Sequence, residues 1–176
     1  YGAYRSRRYR LTRTVWRGLR FDQTGSAWTY AGLSFAWLLA TVLTLGLAFP
    51  LMRRSLEGYR IRHTRFGTAE GRFAAPAWPL IRAWLVMIGP LIACLIVLGL
   101  GLAVLADGKA ENDAAALGAT AAGVLGVLAA FWALLLWPYY RIREFRIFAE
   151  GSALGPATFR SEARTGAAYA IHVKFM

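Results

Sequence analysis

The chain has 176 residues, 57% of them hydrophobic, and its 21 lysine and arginine residues outnumber the 9 aspartate and glutamate residues, for a formal net charge of +12. A basic chain often binds nucleic acid, but these basic residues crowd beside long apolar runs, which argues against a nucleic-acid partner. The runs also exclude an ordinary soluble domain, because its helices would each carry a polar face toward water.

Residues 1–26 are predicted to form a basic strand and hairpin segment. Over residues 9–16, long polar residues alternate with apolar or hydroxyl-bearing ones. This period of two is typical of a strand, and Arg17-Gly18 offers a turn before Phe21. Ser26 is suited to cap a helix that begins with the next apolar run.

Residues 27–51 contain no aspartate, glutamate, lysine, arginine or histidine and exceed the roughly 20 residues that a helix needs to cross a bilayer. We therefore predict transmembrane helix 1 here. A full crossing would place residues 1–26 outside, against the tendency of arginine-rich segments to stay in the cytoplasm. A re-entrant run would leave every basic segment on the cytoplasmic face. Gly46 and Pro50 lie at one end of the run, not at its middle, which favours the full crossing.

Residues 52–82 are predicted to form a basic interfacial helix followed by a hairpin. Arginines alternate with residues such as Leu56 and Tyr59, so a helix could bury its apolar side chains at the membrane surface. Its guanidinium groups would then extend toward lipid phosphate. Residues 63–67 and 71–73 have the composition of a small hairpin around residues 68–70.

Residues 83–140 are predicted to form a transmembrane helical hairpin, because two apolar runs at 84–106 and 114–140 are joined by a short acidic loop. The loop contains no arginine and is therefore expected outside. Pro90 has no N–H, so it should bend the second helix and free the Val86 carbonyl.

Residues 141–176 form a third basic segment that ends just after another mildly apolar stretch begins, and we expect the protein to extend beyond it. The elements together predict an all-α integral membrane protein. It would have three transmembrane helices, the first spanning or re-entrant, with basic interfacial helices and small β-hairpins.

The basic segments also resemble one another. Phe49-Pro50 precedes Arg53 as Trp137-Pro138 precedes Arg141, and a glycine follows each proline at the same distance. Several such matches in register predict an internal repeat.

Three stretches carry a family resemblance: YRLTRTVWRGLRF at residues 9–21, LTLGLAFP at 43–50 and RHTRFG at 62–67. They resemble the YjgN-like family of bacterial inner-membrane proteins of unknown function, over nearly the whole chain. The resemblance implies a multi-pass protein of the bacterial inner membrane, and family members are longer than this chain. Residues 151–155 depart from the Thr-Arg-aromatic-Gly pattern expected there. The family implies no reaction, ligand or catalytic residue.

We predict no enzymatic activity and no cofactor, metal-binding or catalytic residue. The three runs lack the ionisable residues that mark intramembrane chemistry, and His63 and His172 are isolated in sequence. The leading hypothesis is a non-catalytic accessory or packing component of a membrane assembly. The alternative is half of an inverted-repeat transporter or channel for a small solute.

Two sets of residues are predicted to make contacts outside the chain. The residues predicted to contact anionic lipid headgroups are Arg53, Arg54, Arg60, Arg141, Arg143 and Arg146. The small residues predicted to pack helices against each other, against a second copy or against another subunit are Gly32, Ala36, Ala40, Gly118, Ala122 and Gly126.

Overall fold

A computed structural model describes residues 2–16, 18–106, 112–163 and 166. The helices in this part are α1 (Gly2–Thr12), α2 (Ala27–Leu43), α3 (Phe49–Arg62), α4 (Trp78–Ala106) and α5 (Asn112–Glu150). The strands are β1 (Val15–Trp16), β2 (Leu19–Gln23), β3 (Thr64–Phe66), β4 (Ala69–Phe73), β5 (Ser152–Leu154) and β6 (Ala157–Thr158). Most of the predicted acidic loop, and the apolar stretch near the end of the chain, lie outside the described residues.

The chain divides into two compact units. The sheet unit contains Tyr1–Ile81 and Ile142–Arg164, and the hairpin unit contains Arg82–Arg141 and Thr165–Met176. Each is described separately below.

The sheet unit is built on one antiparallel sheet whose six strands follow their order in the chain. Each of its three hairpins turns at a glycine with positive φ: Gly18 at 80°, Gly67 at 58° and Gly155 at 57°. The left-handed region is open to glycine at little cost, which explains the residue type at these turns. Phe21 of β2 pairs with Phe66 of β3, and β4 pairs with β5. The three basic segments, distant in sequence, are therefore joined in one sheet.

The same hydrogen bond anchors each hairpin to the helix before it. Thr14, Thr64 and Ser152 each donate a hydroxyl hydrogen bond to the backbone carbonyl four residues earlier. The acceptors lie near the ends of α1, α3 and α5, where helix carbonyls lack their intrahelical partners. A hydroxyl-bearing residue thus occupies the same structural position three times.

Residues 9–12 are helical, whereas the sequence predicts a strand over residues 9–16. Helix α1 continues to Thr12, and β1 contains only two residues. Tyr4 of α1 is fully buried, and its ring stacks on Tyr30 at 5.0 Å and lies 5.8 Å from Tyr59. Burial of an aromatic ring contributes about 1.5–3 kcal/mol. These tertiary contacts outweigh the weak local preference on which the strand prediction depended.

The run at residues 27–51 is not one helix, which corrects the prediction of a single continuous helix there; a third membrane-spanning helix is not confirmed. Helix α2 ends at Leu43, and the Gly46 N–H donates to the Thr41 carbonyl at 2.7 Å. Leu45 adopts a φ of 50°, a conformation usually taken by glycine at this position of a helix end. Two described helical spans, Trp78–Gly101 and Thr120–Glu150, are long and apolar enough to cross a membrane.

Helix α2 runs antiparallel along α3. Tyr30 accepts a hydrogen bond from Arg60 near one end of the pair, and the Thr41 hydroxyl lies 3.9 Å from the Met52 sulfur near the other. The opposite face of α2 is apolar and exposed: it carries Phe35, Leu38, Leu39, Val42 and Leu43. One face of α2 therefore packs on a basic helix, while the other remains open.

In the hairpin unit, α4 and α5 run antiparallel, as the sequence predicts. The Trp84 and Tyr140 rings lie 5.0 Å apart at one end, and the Cys94 sulfur lies 3.6 Å from the Ala122 carbonyl farther along. Helix α5 continues through Pro138 to Glu150, beyond residue 140, where the predicted transmembrane hairpin ends. A proline inside a helix costs about 3 kcal/mol; the complete burial of Tyr140 helps to offset that cost.

The Val86 carbonyl, which Pro90 deprives of its helical donor, accepts a hydrogen bond from the Trp132 indole N–H at 3.1 Å. We expect Trp132→Phe to lower the free energy of unfolding by about 1–3 kcal/mol, because the carbonyl is left without a partner. The same change in a Pro90→Ala background should cost much less, since the alanine restores the helical donor. The measurement is unfolding in detergent of the wild-type protein, the two single variants and the double variant. Equal losses in both backgrounds would show that the indole does not replace the missing N–H.

Candidate functional site

Helix α3 carries four arginines and one glutamate: Arg53, Arg54, Glu57, Arg60 and Arg62. Pro50 lies in its first turn, where the missing N–H does no harm. Arg60 and Arg62 lie in its last turn, where positive charge interacts favourably with the helix dipole. The arginines of α3 have different contacts. Some bond to other parts of the protein, and others line a cavity where a ligand could bind.

Two of these arginines hold the sheet unit together. The Arg53 Nε lies 2.6 Å from a carboxylate oxygen of Glu144, a residue with 2% of its surface exposed. The Arg54 Nε donates to the Ala75 carbonyl at 2.7 Å. A buried carboxylate requires a partner of opposite charge, so Arg53 ties α3 to the C-terminal part of α5.

An aromatic and polar cluster lies where α1, α2 and α3 meet. Tyr4 and Gln23 are fully buried. Within the described residues, neither the Tyr4 hydroxyl nor the Gln23 carboxamide has a hydrogen-bond partner. Burial raises the pKa of Tyr4, and the adjacent Gln23 partly opposes that rise. The Tyr59 hydroxyl donates to the Ser26 carbonyl at 3.0 Å. These contacts position the three helices.

A cavity of about 210 Å³ lies between α2, α3 and β4. We call it the α3 cavity. Its lining residues are Trp37, Leu51, Arg54, Ser55, Gly58, Arg62 and Phe73. The lining combines two guanidinium groups and a hydroxyl with aromatic and aliphatic surfaces, and no acidic residue of the described part of the chain belongs to it.

A second cavity of about 360 Å³ lies beside the C-terminal turns of α5. It is lined by Ala74, Pro76, Pro79, Arg143, Arg146, Ile147, Glu150 and Gly151. Arg146 lies 3.9 Å from Glu150 within it. The acidic residue partly neutralises this cavity, so it is less suited to an anion than the α3 cavity.

The residues predicted to contact headgroups have several different environments. Arg53 and Arg54 make the bonds described above, and Arg60 bonds Glu57 and Tyr30. Arg141 lies over the Trp137 ring at 5.9 Å. Arg143 and Arg146 line the second cavity. Their contact with lipid remains a prediction.

The small residues predicted to pack helices also divide into two groups. Ala122 is buried in the hairpin unit, and a Cβ at Gly126 would lie 3.7 Å from the Cys94 sulfur. At Gly32 and Gly118 no atom of the residues that the structure describes lies within 4 Å of such a Cβ. Ala36 is exposed and Ala40 is half-buried. Gly32, Ala36 and Gly118 are therefore exposed. Their packing against another subunit remains a prediction.

The comparisons with known proteins identify the family. The pattern of a family described as a bacterial protein of unknown function, DUF898, matches residues 1–176. The chain belongs to this family. No curated protein and no solved structure matches the chain. The YjgN-like resemblance inferred from the three motifs agrees with this family.

Sequence reasoning missed several residues that matter in this DUF898 member. Glu144 is a lone acid among arginines, and only the structure shows that it is buried and pairs with Arg53. Trp37 and Phe73 look like ordinary apolar residues until α2 and β4 bring them to one cavity. Among the described residues, no three histidine, cysteine or acidic side chains are grouped to hold a metal.

Proposed function

We propose that this protein is a multi-pass component of the bacterial inner membrane. In this proposal its three arginine-rich segments form one layer at the cytoplasmic surface. It acts there as a non-catalytic accessory or packing subunit that contacts anionic lipids and other membrane proteins. The observation that carries the proposal is the continuous sheet, because strands from all three basic segments pair in it. Segments that share one sheet lie on the same side of a membrane.

The pairing of α2 with α3 supports the same topology. A helix that crosses alone would pack against apolar neighbours or lipid, but α2 lies along a helix carrying Arg53, Glu57 and Arg60. Burying such charges in hydrocarbon costs several kcal/mol. We infer that α2 inserts only its exposed apolar face into the membrane surface, and that α4 and α5 cross.

The repeated hydroxyl contact supports an internal duplication. Thr14, Thr64 and Ser152 occupy the same position between a helix and its hairpin. Units that retain one orientation in one sheet differ from the inverted repeats of many secondary transporters, whose halves face opposite sides of the membrane. This difference favours the accessory hypothesis over the transporter alternative.

The topology is tested by single cysteines at Thr12, Arg72 and Thr158 in a Cys94→Ala background, one in each basic segment. We expect all three to resist an impermeant thiol reagent added outside intact cells and to react in inside-out vesicles. A cysteine at Lys109, in the acidic loop predicted to lie outside, is the positive control. Outside labelling at Thr12 alone would mean that residues 27–51 cross the membrane, and it would overturn the shared layer.

A further inference from the structure

We propose that the α3 cavity binds the phosphate headgroup of an anionic membrane lipid. The inference rests on the proposed membrane location and names a ligand for the same arginine-rich layer. The ligand class follows from the charge of the cavity and from its apolar walls.

The cavity carries positive charge that is not balanced within its lining. Arg54 and Arg62 lie two turns apart on the same face of α3, and Arg54 is held in place by its bond to Ala75. Within the part of the chain that the structure describes, Arg62 makes no ion pair or side-chain hydrogen bond. Glu57, the acid of α3, pairs with Arg7 and Arg60 on another face. Guanidinium groups suit phosphate because they donate several hydrogen bonds in one plane.

The acids and bases of neighbouring elements do not cancel this charge. Helix α2 has no ionisable residue other than Tyr30, which bonds Arg60 away from the cavity. On β4, Glu70 pairs with Arg65 at 2.7 Å, and Arg72 is exposed on the strand face opposite Phe73. An anion in the cavity would therefore meet two arginines and the Ser55 hydroxyl.

The apolar wall favours a lipid over a soluble phosphate. Trp37, Leu51 and Phe73 form this wall. A side chain at position 58 would displace the Phe73 ring from this wall, because a Cβ there would lie 2.9 Å from the ring. A volume of 210 Å³ is about that of seven water molecules, enough for a headgroup but not for acyl chains. Exposed apolar residues such as Leu38 and Val42 continue along α2 and offer a surface for those chains.

The test measures lipid binding by the purified full-length protein in a neutral detergent. The protein is titrated separately with phosphatidylglycerol, with phosphatidylcholine that has the same acyl chains, and with soluble glycerol phosphate. Native mass spectrometry measures the bound fraction. We expect phosphatidylglycerol to bind most tightly. Arg62→Gln should weaken that binding about tenfold, the usual effect of losing a charged hydrogen bond. Arg72→Gln, the matched control outside the cavity, should change it less than about twofold.

A second variant examines the cavity without removing charge. Ser55→Leu fills part of its volume and should also weaken binding of phosphatidylglycerol. Equal effects of Arg62→Gln and Arg72→Gln would indicate general surface charge and overturn the site. Similar affinity for phosphatidylglycerol and phosphatidylcholine would also overturn the site. Glycerol phosphate binding as tightly as the lipid would overturn the lipid assignment. Because binding is measured without a membrane orientation, its failure is distinguishable from failure of the topology test.

Discussion

Replacing Arg53 with alanine should lower the free energy of unfolding by about 3 kcal/mol, because it removes the positive charge beside the buried Glu144 carboxylate. The Glu144 side chain is 3% exposed, and the Arg53 Nε lies 2.6 Å from it. Arg53 is itself one-third exposed, so water reaching the site would recover part of the loss. The measurement is denaturant unfolding in detergent, followed by circular dichroism.

Two further variants make this result specific. Arg65→Gln removes an ion pair with Glu70 whose side chains are 50% and 63% exposed, and it should cost less than about 1 kcal/mol. The double change Arg53→Met with Glu144→Leu removes both charges and should recover most of the stability. If the single change at Arg53 costs no more than Arg65→Gln, the buried pair does not stabilise the fold.

Replacing Gly71 with alanine should have an effect as large, about 3 kcal/mol or more, and should separate β4 from β5. A Cβ at this position would overlap the Ile61 carbonyl and would approach the Thr64 carbonyl. Backbone atoms cannot rotate away as a side chain does, so the strand must shift. Overpacking that can relax costs about 1–3 kcal/mol, and this site has little freedom to relax. Gly71 pairs with Leu154, so the shift would reach the third hairpin.

The control for this prediction is the same substitution on an open helix face. The Cβ of Gly32→Ala in α2 would meet none of the described residues within 4 Å, so the change should be neutral or stabilise the helix by up to about 1 kcal/mol. Unfolding of both variants, together with hydrogen exchange of β4 and β5 amides, measures the difference. Retention of the slow-exchanging β5 amides in the Gly71 variant would contradict the role assigned to this close approach.

These results also bear on the proposed function. Both Glu144 and Gly71 hold the C-terminal segment to the rest of the sheet unit. Loss of either contact should therefore loosen the shared layer without altering the apolar helices of the hairpin unit. In cells, we expect such variants to insert into the membrane but to accumulate at lower levels.

Several features followed from the sequence by itself. Long runs without charge predict membrane-spanning helices because hydrocarbon excludes ionised groups, and α4 and α5 have the required length and composition. The hairpin after α3 also agrees with its sequence pattern, since turn chemistry is a local property: Gly67 takes the left-handed conformation that the turn needs. The freed carbonyl of Val86 followed from Pro90 alone.

Other features depended on contacts between distant residues. The helical form of residues 9–12 follows the burial of Tyr4 among other tyrosines. Composition also does not distinguish the roles of Arg53 and Arg62. Arg53 pairs with a buried acid, whereas Arg62 lines a cavity.

The sequence alone thus determined which segments are apolar, which are basic and where the chain turns, because these properties depend on neighbouring residues. Only the tertiary structure decided that three basic segments share one sheet and that α2 lies beside α3. Strand pairing and helix packing join residues far apart in the chain. Their free energy comes from backbone hydrogen bonds and buried side chains that no local pattern specifies.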